Sequence, residues 1–438
     1  MPSKLNPRYL NAVDQIYHFE YVAPLLLRIQ ALRGMIAALW PVGHPARLVH
    51  ITGTAGKGSV ARFLEAGLGL SGLTGGLYSP HLFDYRERFT LDGAFASAHK
   101  ITMEWEERIR PLCLEVATVR PHMAPMFREI NLLIALALFE SHGASWGVIE
   151  AGLGVRYDLT RAIDPVATVI TNVGDDHPAE LGAARWQRAL DKADIIRPGV
   201  PLFSAVDDPE AASILHALCD ELGAPLIQVT EEDMAAFTLQ LDRLRPALSA
   251  DALLGPGHQM RNAALALRVV RHFYPDLAAD EILKAFSQVR FAGRFEQVAE
   301  GVFIDVAHNP QKVAALAERL AGRFAGQKVW FLVGLSKGRL GSVLAPLVPY
   351  AAGFVVAGGF HEARDAEQVV GELRVLAPGI PVELGGEPVA AYQRALALRG
   401  ADTPLVVTGS TFLVEQVFNP DPYLRHLNAT YGWRAGRR

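Results

Sequence analysis

The chain has 438 residues, of which 50% are hydrophobic and 20% charged, and a formal net charge of −4. That length and balance build two or three ordinary globular domains with ample core. The mild acidity excludes the basic field that nucleic acid or an anionic membrane requires, which leaves a small-molecule partner. Two cysteines, Cys113 and Cys219, lie in neither a CxxC nor a Cys/His cluster, so a disulfide framework and a thiolate metal site are also excluded and the compartment reads as reducing. The first residues, MPSKLNPRYLNAVDQIYHFEY, lack the apolar centre of a signal peptide, and the run from Leu132 to Phe139 is too short to span a bilayer. The expectation is a cytoplasmic protein.

Residues 8 to 40 carry apolar side chains at helical spacing (Leu10, Val13 and Ile16, then Leu25, Leu26, Ile29, Leu32 and Ile36), which predicts two packing helices. They lead into LVHITGTAGKGS, Leu48 to Ser59: a buried strand through Thr52, a tight loop over Gly53 to Gly58, and a helix from Ser59 through Phe63 and Leu64. This is a phosphate-binding element. Gly53, Thr54, Gly56 and Gly58 let the backbone approach a triphosphate, the helix N-terminus presents unpaired N–H groups, Lys57 adds a point charge, and the Ser59 hydroxyl is a ligand for Mg²⁺. The spacing departs from GxxxxGK[ST], with three residues between Gly53 and Lys57 and a glycine before Ser59.

GLYSPHLFDYRERFTLDG follows, rich in Pro, His, Arg and aromatics and without periodicity, either a cover over a ligand or plain surface. Residues 99 to 141 read as helical, and Trp146 to Glu150 as a short strand ending in an acid. Ligand groups emerge at the carboxyl ends of parallel strands, so Glu150 is a candidate ligand group, the alternatives being a solvated carboxylate or a partner for Arg156. VATVITN is a second strand, followed by Val173, Gly174, Asp175, Asp176 and His177. Ser59, Glu150 and His177 together offer hydroxyl, carboxylate and imidazole, a mixed set suited to Mg²⁺ or Mn²⁺; alone, His177 is an ordinary loop histidine. Lys192, in a helix over 183 to 196, reads as solvated. PLFSA and PLIQV are strand-like, and GPGHQMRNAALALRVV opens a helix whose Gln259 and Asn262 either read a base edge or cap and solvate the helix.

Around residue 294 the organisation resets. RFAGRFEQVAEGVFIDVAHNP joins a Gly/Arg linker to a strand over Val302 to Val306, and strands at 329–333, 353–356 and 405–408 then alternate with helices near 310–323, 340–350, 365–376 and 387–398. Residues 420 to 438 read as a short tail. The predicted fold is α/β: a P-loop-containing domain with a mostly parallel sheet over 1–294, then a smaller Rossmann-like α/β domain over 295–438.

In their order, these motifs resemble those of the folylpolyglutamate/dihydrofolate synthase family of the Mur-ligase superfamily. GTAGKGS is similar to that family's GTNGKGS, GLYSPHL to GLYTSPHL, ERFTLDG to ERIRING and EAGLGVRYDLT to EVGLGGRLDAT. ITNVGDDH, DKADIIRPG, GHQMRNAALAL, AGRFE, DVAHNP and VVTGSTFLV resemble ITNIGLDH, EKAGIIKPG, GxHQxxNAALAL, PGRLE, DGAHNP and VVTGSLYLV. The resemblance spans nearly the whole chain.

It implies a Mur-ligase-like central ATPase domain and an ATP-dependent amide ligase that transfers the γ-phosphoryl of ATP to an acceptor carboxylate and joins the acyl phosphate to an amino acid, L-glutamate on dihydropteroate or a folate. By resemblance, Lys57 and the loop amides hold the phosphates, Ser59 and Glu150 ligate one Mg²⁺, and Glu150 with His177 a second. The matching Lys192 is carbamylated in the family. Gln259 and Asn262 fall near the adenine, Arg294 on the phosphates, Asp305 and His308 on the nucleotide, and Ser79, Pro80, His81 and Arg156 on the acceptor side. A monomer that closes about the linker is implied.

Departures gather at the acceptor-facing loops. Ala55 replaces Asn, Val155 and Tyr157 replace Gly and Leu, Arg161 replaces Asn, GLYSPHL is one residue short, Asp175 stands for an apolar residue and Asp194 for Gly. Two other readings therefore stand beside the folate one: a Mur-type ligase acting on another carboxylate, and a non-catalytic nucleotide-binding protein.

Overall fold

A computed structural model of the chain describes residues 6–18, 25–175, 178–247, 257–419, 421 and 424–425. His177 and Asp176, and nearly all of the tail from residue 420, lie outside the described residues. The chain divides into two compact units, one within residues 4–290 and one within 291–430.

The first unit is built on eight strands: β1 (Arg47–Thr52), β2 (Thr74–Leu77), β3 (Phe89–Leu91), β4 (Ala94–Phe95), β5 (Trp146–Glu150), β6 (Ala167–Ile170), β7 (Leu202–Ser204) and β8 (Leu226–Gln228). They lie in the order β4-β3-β2-β5-β1-β6-β7-β8, parallel from β2 to β8, with β3 and β4 antiparallel at one edge. Helices on the faces explain why β1, β5 and β6 read as continuous apolar runs, because a parallel strand is covered on both sides. Helix Phe127–His142 is buried almost throughout and ends at Gly143 in the left-handed conformation. The helical stretch expected over 99 to 141 is interrupted: Ala98–Met103, a π segment Glu104–Ile109 and Arg110–Val119 precede a break, since Pro121 and Pro125 lack the N–H that would continue the ladder.

The second unit holds β9 (Arg294–Ala299), β10 (Val302–Asp305), β11 (Val329–Val333), β12 (Ala351–Ala357), β13 (Val382–Gly386) and β14 (Leu405–Thr408) in the order β13-β12-β11-β14-β10-β9. All pairs are parallel except β9 with β10. Residues 294–299, which carry the 294 linker position and for which no strand was expected, are thus an edge strand folded back on β10 through Gly301, whose φ is +64°. The helix expected near 340 to 350 is a 3₁₀ helix, Gly341–Tyr350, with Pro346 and Pro349 inside it. Phe331, Leu347, Phe354 and Leu373 centre this unit's core. Both sheets are the mostly parallel α/β layers expected, and no helix among the described residues is long and apolar enough to cross a membrane.

β2 reads TGGL because the Phe139 ring lies against it: a Cβ built on Gly75 would come within 2.1 Å of Phe139 Cδ1. Gly75→Ala is therefore expected to destabilise the first unit by about 1–3 kcal/mol, the usual cost of overpacking, seen as a lower urea midpoint at unchanged slope.

Candidate functional site: a phosphate loop and the strand ends around it

β1 ends at Thr52, the chain turns over Gly53 to Gly56, and helix Lys57–Leu68 begins. The helix starts at Lys57, two residues earlier than expected, with Gly56 as its N-cap at φ +81°. No side chain caps it, so the first-turn amides are left for a ligand. Both loop glycines are required by space: a Cβ on Gly53 would lie 1.8 Å from Thr171 Oγ1, and one on Gly56 would lie 2.6 Å from Asn262 Oδ1. Lys57 folds back over the loop, its Nζ donating to the Gly53 carbonyl at 2.9 Å.

The loop is held from outside by the end of β6. Asn172 Oδ1 accepts from the amides of Thr54 (3.1 Å) and Ala55 (2.9 Å), Thr171 Oγ1 donates to the Ala55 carbonyl (2.5 Å), and the Gly174 amide donates to Thr54 Oγ1 (2.9 Å). On the other side helix His258–Phe273 packs against the phosphate helix. Gln259 Nε2 donates to Ser59 Oγ at 3.2 Å, and Asn262 Nδ2 to Gln259 Oε1 at 3.2 Å. Gln259 and Asn262 therefore sit against the phosphate loop itself.

Glu150, buried at the end of β5, pairs in register with Ile51 of β1, two residues before Gly53, and its Oε2 accepts from the Ser79 amide at 3.2 Å. The Ser59 hydroxyl in the first turn of the phosphate helix and the Glu150 carboxylate at the end of β5 are both hard oxygen donors, the type that Mg²⁺ takes. Among the described residues no three His, Cys, Asp or Glu side chains gather as a metal cage, and His177 is outside them.

Lys192 lies in helix Arg185–Ala193 and is 2% exposed, not solvated as its isolated reading has it. Its neighbour Asp191 accepts from the amides of Val155 (3.0 Å) and Arg156 (3.2 Å), fixing the turn after β5 to this helix. Arg156 reaches Asp194 Oδ2 from Nε at 2.7 Å and is largely exposed. His81 is buried instead: Arg88 Nε donates to its Nδ1 at 2.8 Å, so Nε2 carries the proton toward Tyr17 Oη at 3.2 Å. Ser79 and Pro80 continue that loop, and Glu87 gathers the amides of Leu82, Phe83 and Asp84 beneath it.

In the second unit, Arg294 opens β9 opposite Asp305 at the end of β10. Asp305 is buried and accepts from the amides of Phe295 (2.9 Å) and Ala307 (2.8 Å). Burial pushes its carboxyl upward, against the Arg294 charge and those amides. His308 is held neutral: burial, then the Lys312 ammonium, bring it down to about 3, with Nδ1 donating to the Val306 carbonyl at 2.8 Å.

Sequence reasoning missed Asn172, Thr171, Asp191, Asp158 and His50. Asp158 takes the Gly152 amide (3.0 Å) on one oxygen and, on the other, the amide and hydroxyl of Thr160, and His50 Nε2 donates to the Thr160 hydroxyl at 2.7 Å.

The profile of the Mur ligase glutamate ligase domain matches residues 293–411. A Bacillus subtilis dihydrofolate synthase/folylpolyglutamate synthase is 30% identical over 243 residues, 52% of this chain and 55% of that protein. The chain spans about half the length of the curated relatives it matches. Among solved structures, Mycobacterium tuberculosis folylpolyglutamate synthase complexed with ADP aligns with TM-score 0.79 at 26% identity, over 94% of this chain and 99% of that one. A bifunctional folylpolyglutamate synthase/dihydrofolate synthase from Yersinia pestis, complexed with AMPPNP and Mn ion, has the same fold, with TM-score 0.73 at 23% identity over 95% and 98% of the two chains. A phosphate loop on a mostly parallel sheet, followed by a glutamate ligase domain, defines the Mur ligase superfamily as the class. Within it, the chain is similar to folylpolyglutamate synthases and dihydrofolate synthases.

Burial lowers His50 to about 3 from its ordinary value of 6.5, and its Nδ1 has no hydrogen-bond partner among the described residues. Below pH 6.5 the unfolded chain takes a proton there that the folded chain refuses, so stability falls as pH drops from 6.5 toward 3. His50→Asn is expected to shallow the acid limb of a stability-against-pH curve between pH 6.5 and 4, where one such group contributes a slope of up to about 1.4 kcal/mol per pH unit.

Proposed function

We propose that the protein is an ATP-dependent ligase that joins L-glutamate to the carboxylate of dihydropteroate or a folate. The observation that carries this reading is the phosphate loop with Ser59 in its helix and Glu150 at the end of β5, in a chain similar to these synthases. Its relatives are named for the same reaction, and the Mycobacterium tuberculosis relative is described with ADP.

The γ-phosphoryl passes from ATP to an acceptor carboxylate oxygen, ADP leaves, the glutamate amine attacks the acyl carbon, and phosphate departs as the amide forms. No protein nucleophile is needed, because catalysis here is positioning and cancellation of charge. The loop amides of Gly53 to Ser59 and the Lys57 ammonium bind the phosphates, Lys57 exchanging its bond to the Gly53 carbonyl for a phosphate oxygen. Gln259 and Asn262 brace the loop and lie toward the nucleotide. Ser59 and Glu150 would hold one Mg²⁺ and Glu150 with His177 a second; bound magnesium draws negative charge off the phosphates. Lys192, carbamylated by CO₂, becomes an anionic group beside them, and its burial supports that role by shielding a carbamate from bulk water. Ser79, Pro80, His81 and Arg156 shape the acceptor side, His81 through Tyr17 and Arg88. Arg294, Asp305 and His308 are the nucleotide-binding candidates of the second unit taken by itself, and residues 1–294 and 295–438 act as ATPase and ligase domains. The protein works as a cytoplasmic monomer, a setting that the buried free thiols of Cys113 and Cys219 support.

The exposed Arg156 and Tyr157 and the Arg161 that replaces Asn favour, as second reading, the same chemistry on a different carboxylate. Phosphate release from MgATP and L-glutamate, with and without dihydropteroate or reduced folate, separates the readings when product mass is followed. Pterin-dependent release with a gain of one glutamyl unit is expected. Failure with every pterin, in protein that binds ATP, overturns the folate acceptor. In the same assay Lys192→Ala should lose turnover while retaining ATP binding, and unchanged turnover would contradict the carbamate.

A further inference from the structure

Helix Pro7–His18 precedes the first strand, yet its side chains reach the loop that follows β2. Tyr9, Val13 and Tyr17 recur at every fourth position and so form one stripe along the helix, and all three are buried. A tyrosine in such a stripe must find a partner for its hydroxyl as well as for its ring. Both partners lie between residues 79 and 88. Tyr9 Oη donates to Asp84 Oδ1 at 2.7 Å, and Tyr17 Oη lies 3.2 Å from His81 Nε2.

Each hydroxyl meets a residue that organises the loop. Asp84 caps the 3₁₀ turn Tyr85–Arg88: its Oδ1 also accepts from the Arg86 amide at 2.9 Å, and its Oδ2 from Arg86 Nε and Nη2 at 2.8 and 2.6 Å. His81 bridges the helix to Arg88. A guanidinium only donates, so Arg88 fixes His81 Nδ1 as an acceptor and leaves the Nε2 proton for the Tyr17 oxygen. Both ring nitrogens are used inside the protein, which makes His81 a strut rather than a ligand contact. The Tyr17 ring stacks on Phe127 with centroids 4.7 Å apart, and the Arg88 guanidinium lies over that same Phe127 ring at 4.9 Å. At the start of the loop the Ser79 amide donates to Glu150 Oε2 at 3.2 Å. The segment from Ser79 to Arg88 is therefore held at its start by the β5 acid and further on by two tyrosine hydroxyls.

We propose that Tyr9 and Tyr17 are positioning residues for the acceptor carboxylate: through Asp84 and His81 they set the 79–88 loop, and with it the Ser79 amide on Glu150. The assignment rests on the ligase reading, which puts Ser79, Pro80 and His81 on the acceptor side. A hydroxyl that fixes a loop raises the population of the binding-competent loop, so its loss weakens the acceptor in proportion to the loop displaced. The phosphate loop is held separately, by Asn172 and Thr171, and is left as it is.

Tyr9→Phe and Tyr17→Phe each remove one oxygen and keep the ring, so the aromatic packing is retained. In hydrogen–deuterium exchange of the full chain, either variant should speed exchange across residues 79–88 about fivefold, the order for one hydrogen bond, with the phosphate helix Lys57–Leu68 unchanged. In the ligase assay the acceptor KM should rise about fivefold at unchanged MgATP affinity. Adding Tyr17→Phe to His81→Gln should raise the acceptor KM no further, because the tyrosine acts through the histidine. Unchanged exchange at 79–88 in both variants, an equal rise in KM for ATP and acceptor, or effects of Tyr17→Phe and His81→Gln that multiply would overturn the assignment. Absence of turnover with every pterin in the parent chain removes the ligase reading, and the exchange comparison then still decides whether the two hydroxyls hold the loop.

Discussion

The site depends on one carboxamide. Asn172, just past β6, receives the amides of Thr54 and Ala55 and so fixes a glycine turn that has no regular structure of its own. A loop meant to offer backbone N–H groups to phosphate cannot satisfy all of them internally, or none would remain for the ligand. The neighbouring strand end resolves this by taking two amides and leaving those of the helix start. Thr171 does the complementary work on the Ala55 carbonyl, and Gly53 has no side chain because Thr171 occupies that space.

The same device recurs around the sheet. Asp158 and Asp191 each collect amides from the turn after β5, one through the His50–Thr160 chain and the other from the helix that bears Lys192. Glu87 does so beneath the 79–84 loop. These loops at the carboxyl end of the sheet are thus shaped by side-chain acceptors as well as by their own hydrogen bonds. The apolar strands below supply rigidity, and the acceptors turn it into defined amide positions.

What could be read from the residues follows from locality. β1 and β5 were legible because covered parallel strands are continuous apolar runs, and Gly53, Gly56, Lys57, Ser59 and Glu150 because a phosphate loop and a strand-end acid are contiguous signals. β2 was not, since Gly75 answers to Phe139, more than sixty residues away in the chain, and Gly76 to Thr90 and Tyr78. β9 was not legible either, because an edge strand as polar as RFEQVA carries no buried face to mark it. Asn172, Asp158 and Asp191 escaped because their partners are backbone amides, which leave no trace in side-chain pattern. Lys192 shows the opposite failure: helical position suggested solvent, and tertiary packing buried it.

The claim that the β6 end sets the phosphate loop is tested most directly by the MgATP affinity of Asn172→Ala, measured by calorimetry alongside thermal melting. Removing the acceptor leaves the Ala55 amide unpaired and the Thr54 amide with the Asn172 backbone carbonyl alone, a change of roughly 1–3 kcal/mol. The account predicts a folded protein that binds MgATP about tenfold or more weakly. Unchanged affinity in a folded variant would contradict it.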